Sequence, residues 1–256
     1  METSLVMNLK EFKINNCMSI KHKFLETEFE KGFYTENATL KNSSFEPKVL
    51  FLGTFNPQTT DEYNVADFFY GRNWFWPLLF SIAEKDTKEF KQRKYYDPFK
   101  PSLEQILNFI IQYKLSFADL ICEVLPGVDK ENYQLQKNKI TFSKKKYDLI
   151  NDGDLIKLDD QNLVSWNTHL LDYLENKPSI KTIYFTRKYD KAFSKMLDKL
   201  DLALKKRNTE LKFLYTPSGQ ALKGKPRYKV LKNQWLNTEK DGYNSIDASH
   251  FINKKP

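Results

Sequence analysis

Asn56 follows an apolar run in LFLGTFNPQ (50–58), and Asn73 sits inside a ring-rich stretch, DFFYGRNWFW (67–76). Around them lie Phe55, Tyr63, Phe68, Phe69, Tyr70, Trp74, Phe75 and Trp76, together with Gly53 and Gly71, two of only eight glycines in the chain. A buried strand would use the rings, but it would not need the polar punctuation between them. A third polar turn, TPSGQALKGK (216–225), follows a later apolar run. Asn-Pro, Pro-Ser and Ser-Gly pairs are ordinary turn formers. It is their recurrence just past apolar runs that marks a candidate site. Four carboxylates accompany it, Asp61, Glu62 and Asp67 in the ring-rich segment and Asp119 in SFADLI (116–121). Each has the chemistry of a general base, although a cap, a turn or an ion pair is the more ordinary role for such a residue.

Composition narrows what such residues can do. The 256 residues are 40% apolar and 15% aromatic, enough to bury a real core. No apolar run approaches the length of a membrane span, and METSLVMNLKEFK has no stretch of signal-peptide length. The cytoplasm is the expected compartment. Cys17 and Cys122 make neither a disulfide framework nor a CxxC site, and His22, His169 and His250 are widely spaced. Chemistry without a metal or other cofactor is expected, from a monomer. The net charge is +8, and only five of the 41 basic residues are arginine. From Lys212 to Thr238 there is no Asp or Glu, while Lys212, Lys223, Lys225, Arg227, Lys229 and Lys232 fall inside. A one-signed field of this kind steers and holds a phosphate backbone.

The elements that must position these residues are legible as alternation. Four apolar runs read as buried parallel strands: KVLFLG (48–53), KLSFADLICEV (114–124), IKTIYFT (180–186) and LKFLYT (211–216). Helical spacing fills the gaps in WFWPLLFSIAE, SLEQILNFIIQY, VSWNTHLLDYLEN, YDKAFSKMLDKLDLALKK and PRYKVLKNQWL. The pattern predicts an α/β protein, a three-layer α/β/α sandwich around a mainly parallel four-stranded sheet. Residues 1–46 read as an N-terminal extension, 47–236 as the domain and 237–256 as a polar tail. A polar, lysine-bearing insertion spans 126–163. Ligands of open parallel sheets bind beyond the carboxyl ends of the strands, so GTFNPQ and TPSGQALKGK are expected to face one crevice.

In their order, these three motifs resemble the uracil-DNA glycosylase superfamily. The nearest branches are the mismatch-specific uracil/thymine and the hypoxanthine-DNA glycosylases. GTFNPQ is similar to the first branch's G-I-N-P-G, YGRNWFW to the second's H-P-R-N-x-F-W, and TPSGQALKGK to N-P-S-G-L-S-R. The resemblance covers about residues 48–236 and implies hydrolysis of an N-glycosidic bond in DNA. The target nucleotide is swung out, its base gripped, and the leaving anion stabilised. Asn56 then orients the attacking water through its amide carbonyl, and Asn73 matches the asparagine that dominates catalysis in the hypoxanthine branch. GTFNP carries one residue more between Gly53 and Pro57 than the family pattern, which leaves open whether Asn56 or Asn73 leads. Phe68, Phe55 and Tyr70 are the rings that would bind the base, with Thr216 where relatives carry His or Asn. Ser218 and Gly219 would pinch a phosphate, Gln220, Ala221 and Leu222 would wedge the duplex, and Lys223, Lys225, Arg227 and Lys229 would hold flanking phosphates.

The resemblance admits uracil, hypoxanthine, xanthine or a hypermodified cytosine as substrate, and a repair or an antiviral role. Two readings from other classes stay beside it. One is a non-catalytic relative that binds an unusual base in DNA, and the other is a hydrolase of free nucleosides, which would not need the basic stretch.

Overall fold

Three consecutive apolar strands build the centre of the sheet. In the computed structural model, which describes residues 19–59, 68–71, 74–83, 101–217, 227–237 and 242–251, β4 (Val49–Gly53) lies between β5 (Leu115–Asp119) and β11 (Thr182–Phe185), parallel to both. All residues of these strands are buried, the condition that lets a strand be apolar on both faces. Phe51 stands in register with Phe117 on one side and Tyr184 on the other. The three rings stack across the strands, with centroids 5.6 and 5.4 Å from Phe51. Aromatic pairs on neighbouring strands are strong register markers. β12 (Glu210–Phe213) adds the fourth parallel strand next to β11.

The sheet has six strands, not the four expected, in the order β12-β11-β4-β5-β3-β2, with β2 at Phe33–Glu36 and β3 at Thr39–Asn42. The extra pair, β2 and β3, is an antiparallel hairpin from the segment expected to be a polar extension. Its inward residues Phe33, Thr35, Thr39 and Leu40 are buried. The run expected as one strand over 114–124 is two. The chain turns at Leu120 into β6 (Ile121–Val124), which leaves the main sheet and pairs antiparallel with β1 (Ile20–Lys21) and β10 (Val164–Trp166). The insertion contributes a three-stranded antiparallel meander of its own, β7 (Tyr133–Gln136), β8 (Lys139–Phe142) and β9 (Lys145–Asp148).

Helices cover both faces of the main sheet. On the Phe51 face lie α1 (Phe75–Ala83), α2 (Leu103–Tyr113) and α6 (Arg227–Asn237), bringing Phe75, Trp76, Phe109 and Trp235 into one aromatic core. On the Leu50 and Leu52 face lie α3 (Asp152–Asp159), α4 (His169–Glu175) and α5 (Ser194–Lys205), packed through Leu155, Leu158, Leu170, Met196 and Leu200. Phe251, within the expected tail, is buried against Tyr113, 5.7 Å between rings. Among the described residues no helix is long and apolar enough to cross a membrane.

Candidate active site

At the carboxyl end of the central strands, Gly53 and Asp119 stand opposite each other as the last register pair of β4 and β5. A side-chain carbon at position 53 would collide with Asp119 Oδ1 and would lie 3.1 Å from the Tyr70 hydroxyl. The glycine is therefore there to make room. Beyond it the chain turns away from the sheet, and Gly53 and Thr54 carbonyls accept from the N–H groups of Leu120 and Ile121. The turn carries Asn56 back toward Asp119.

Asp119 is 1% exposed and collects two donors on one oxygen. Asn56 Nδ2 donates to Oδ2 at 2.5 Å, and His22 Nε2 lies 2.7 Å from the same atom. His22, 2% exposed, also accepts the Phe24 N–H at Nδ1, 3.0 Å away. A ring nitrogen that accepts carries no proton, so the Nε2–H tautomer is fixed and Nε2 donates to the carboxylate. The asparagine is oriented by the same argument, since a carboxylate only accepts. Nδ2 faces Asp119, and the amide carbonyl of the half-buried Asn56 is turned away from it. The extra residue in GTFNP does not bulge Asn56 away from the strand ends.

The N-terminal segment holds this turn from outside. Lys23 N–H donates to the Asn56 carbonyl and Gln58 N–H to the Lys21 carbonyl, at 2.7 and 2.8 Å. His22 bridges to Pro57, and its N–H donates to the Cys122 carbonyl. Nothing in the spacing of three histidines identified His22 as a partner of Asp119, because the contact joins residues 97 apart in the chain.

Tyr70 closes the inner side. It adopts φ 60°, in the left-handed region where a non-glycine residue is strained. Its ring stacks on Phe75 at 4.1 Å and 11°, and its hydroxyl lies 3.0 Å from Thr186 Oγ1. Thr186, just past β11, donates its own proton to the Leu52 carbonyl at 3.3 Å and so accepts from Tyr70. Burial first, and then the Asp119 charge, push the Tyr70 phenol well above its ordinary range, so it stays a donor. At the outer side, Asp152 at the first turn of α3 pairs with Arg187, which also reaches Asp190 at 2.9 Å. Burial raises the Asp152 carboxyl, against the pull of the Arg187 guanidinium and a hydrogen bond from Thr54.

The motifs converge in part. Asn56, Asp119 and Tyr70 meet around Gly53, and Trp74 N–H donates to the Pro217 carbonyl at 3.1 Å, joining the ring-rich segment to the TPS turn. Thr216, half-buried, precedes that contact at the end of the outermost parallel strand. Two rings are not placed as expected. Phe68 is 1% exposed, enclosed by Phe24, Phe29, Phe69, Trp76 and Phe117, and leaves no open face for a base. It is a core residue in this arrangement. Phe55 is 8% exposed and packs 5.9 Å from the His22 ring. Asn73, Ser218, Gly219, Gln220, Ala221, Leu222, Lys223 and Lys225 lie outside the described residues, as do Asp61, Glu62 and Asp67. The side chains of Arg227 and Lys229, at the start of α6, do too.

Neither a protein-family model nor a curated protein matches the chain. Among solved structures, the chain is similar to a solution NMR structure of a "putative Uracil DNA glycosylase" from Methanosarcina acetivorans. The identity is 17%, the match covers 73% of this chain and 88% of that one, and the TM-score is 0.37.

Proposed function

We propose that the chain is a DNA glycosylase that hydrolyses the N-glycosidic bond of an altered or modified base and leaves an abasic site. The observation that carries the reading is the chain from buried His22 and Asp119 to half-buried Asn56 at the carboxyl end of the parallel strands. Cleavage of a glycosidic bond builds positive charge on the sugar and negative charge on the departing base. An amide is too weak a base to take a proton outright, but its carbonyl can align a water under the sugar. Asp119 holds Asn56 in the orientation that frees the carbonyl for this purpose, and His22 holds Asp119. Both are positioning residues. Asp119 is buried, its Oδ2 serves two donors and its Oδ1 lies over Gly53, which supports a positioning role over direct contact with the water. Its buried negative charge, close to Asn56, also favours a growing glycosyl cation.

Base grip on this reading falls to groups around Tyr70 and Thr216, with Asn73 sharing the catalytic work. The TPSGQALKGK turn and the lysines after it hold the backbone. Incubation with duplexes carrying uracil, hypoxanthine, xanthine or hypermodified cytosine, scored for abasic sites, tests the activity. Asn56→Ala is expected to slow base release about 10²–10³-fold, roughly 2.7–4 kcal/mol of barrier, with duplex affinity kept. Binding without base release by the unaltered protein on every duplex would instead favour a non-catalytic reader of unusual bases.

A further inference from the structure

The insertion carries a charge pattern that the candidate site does not use. Between Glu131 and Asp148 the sequence holds Lys137, Lys139, Lys144, Lys145 and Lys146 and no carboxylate. The meander sorts these residues by face. Leu135, Ile140 and Tyr147 are in register across its three strands, with Ile140 and Tyr147 buried in the core. The alternate positions, Gln134, Thr141 and Lys146 in one row and Gln136, Lys139 and Asp148 in the next, make the outer face. Lys139 and Lys146 are exposed there, and Lys144 is exposed at the adjoining turn. The single carboxylate of that face, Asp148, is already engaged by Asn138 Nδ2 at 2.6 Å and the Ile150 N–H at 3.1 Å.

The meander is tied to the site's rim. Asp148 N–H donates to Asp154 in the first turn of α3, and Asp152 of that turn pairs with Arg187 and takes a hydrogen bond from Thr54, two residues before Asn56. Lys139 and Lys146 are diagonal neighbours on adjacent strands, a separation of about 7–8 Å. That spans about two charges of one DNA strand, spaced roughly 3.4 Å along the axis.

We infer that the outer face of this meander is a second grip on the DNA backbone, separate from the TPSGQALKGK turn. It would hold the duplex flanking the target nucleotide through Lys139, Lys144 and Lys146. The inference rests on the reading of the site as one that acts on DNA. The test is the affinity of the full chain for a 30-base-pair duplex, of about three helical turns, followed by fluorescence anisotropy across a salt series. Replacing the three lysines together (Lys139→Gln, Lys144→Gln, Lys146→Gln) is expected to flatten the slope of log affinity against log salt by about 2–3, at about 0.9 per phosphate contact. The control Lys199→Gln, Lys206→Gln, at exposed positions on α5 and at its C-terminal cap, is expected to change the slope by less than one. Unchanged thermal unfolding of both variants establishes that they fold. An unaltered slope in the triple variant, with the parent binding DNA normally, overturns the second grip and leaves the glycosylase reading standing. A parent that does not bind duplex DNA at any salt overturns both. Loss of binding to phosphatidylserine vesicles in the triple variant, with duplex binding intact, overturns it in favour of a membrane surface.

Discussion

Gly53 is the position where one missing carbon decides whether the site exists. Alanine there would shed some unfolded-chain entropy, a gain of about 0.4–1 kcal/mol. Against that, the new carbon meets a buried carboxylate that two donors hold in place, and overpacking of that kind costs about 1–3 kcal/mol. The clash wins. Gly53→Ala is expected to lower the urea midpoint and, on the proposed function, to slow base release as Asp119 is displaced; a wild-type urea midpoint would mean that Asp119 does not fill that space. At the residue scale, membership of the cluster around Gly53 was legible where a residue stood beside a motif. Asn56 and Tyr70 announce themselves in GTFNP and FFYG, and Asp119 by a carboxylate in an apolar run. His22 and Thr186 did not, since their roles come from contacts across the sheet. Phe68 shows the opposite failure. A ring in a ring-rich segment reads alike whether it stacks on a base or fills a core, and only burial separates the two.

Among the elements, α2 is the one the sequence describes most completely. Ser102 Oγ accepts the Gln105 N–H at 3.2 Å and Gln105 Oε1 accepts the Ser102 N–H at 2.8 Å, a reciprocal capping box before the apolar stripe Ile106, Leu107 and Ile110. Ser102→Ala is expected to lower stability by about 1 kcal/mol, read as a shifted urea midpoint with an unchanged slope; no shift would show that the cap contributes nothing. The hairpins were not legible, for a definite reason. Tight two-residue turns need left-handed backbone, and glycine is the usual sign of it. Here Asn37 and Ala38 take φ 48° and 56° between β2 and β3, and Ser143 and Lys144 take 48° and 63° between β8 and β9. With no glycine at these turns, both segments read as polar extension or insertion. The break at Leu120 was hidden in the same way, since a buried strand and a strand that changes sheets carry the same run of apolar residues.

At the scale of the whole molecule, several buried acids set a limit on the alkaline side. Burial pushes the Cys122 thiol up to about 12 from 9.0, helped by the charges of Asp119 and Glu123, and it pushes the Tyr173 phenol up to about 12 from 10.0. Tyr70 and Tyr184 are raised as well, chiefly by burial. In each case the folded chain favours the protonated form. Their contribution to stability is therefore complete below pH 9.0, the ordinary thiol value, and drains away as pH climbs toward about 12. Urea midpoints are expected to stay level from neutrality to about pH 9 and then fall, with part of the tyrosinate absorbance appearing only on unfolding; a flat profile to pH 12 would contradict this. The same long-range wiring has a consequence for synthesis. His22 leaves the ribosome 97 residues ahead of Asp119, which at about 5–20 residues per second is a wait of roughly 5–20 s. Through that interval His22 is without the carboxylate it pairs with, so a translation product stalled before Asp119 cannot assemble the His22–Asp119–Asn56 chain.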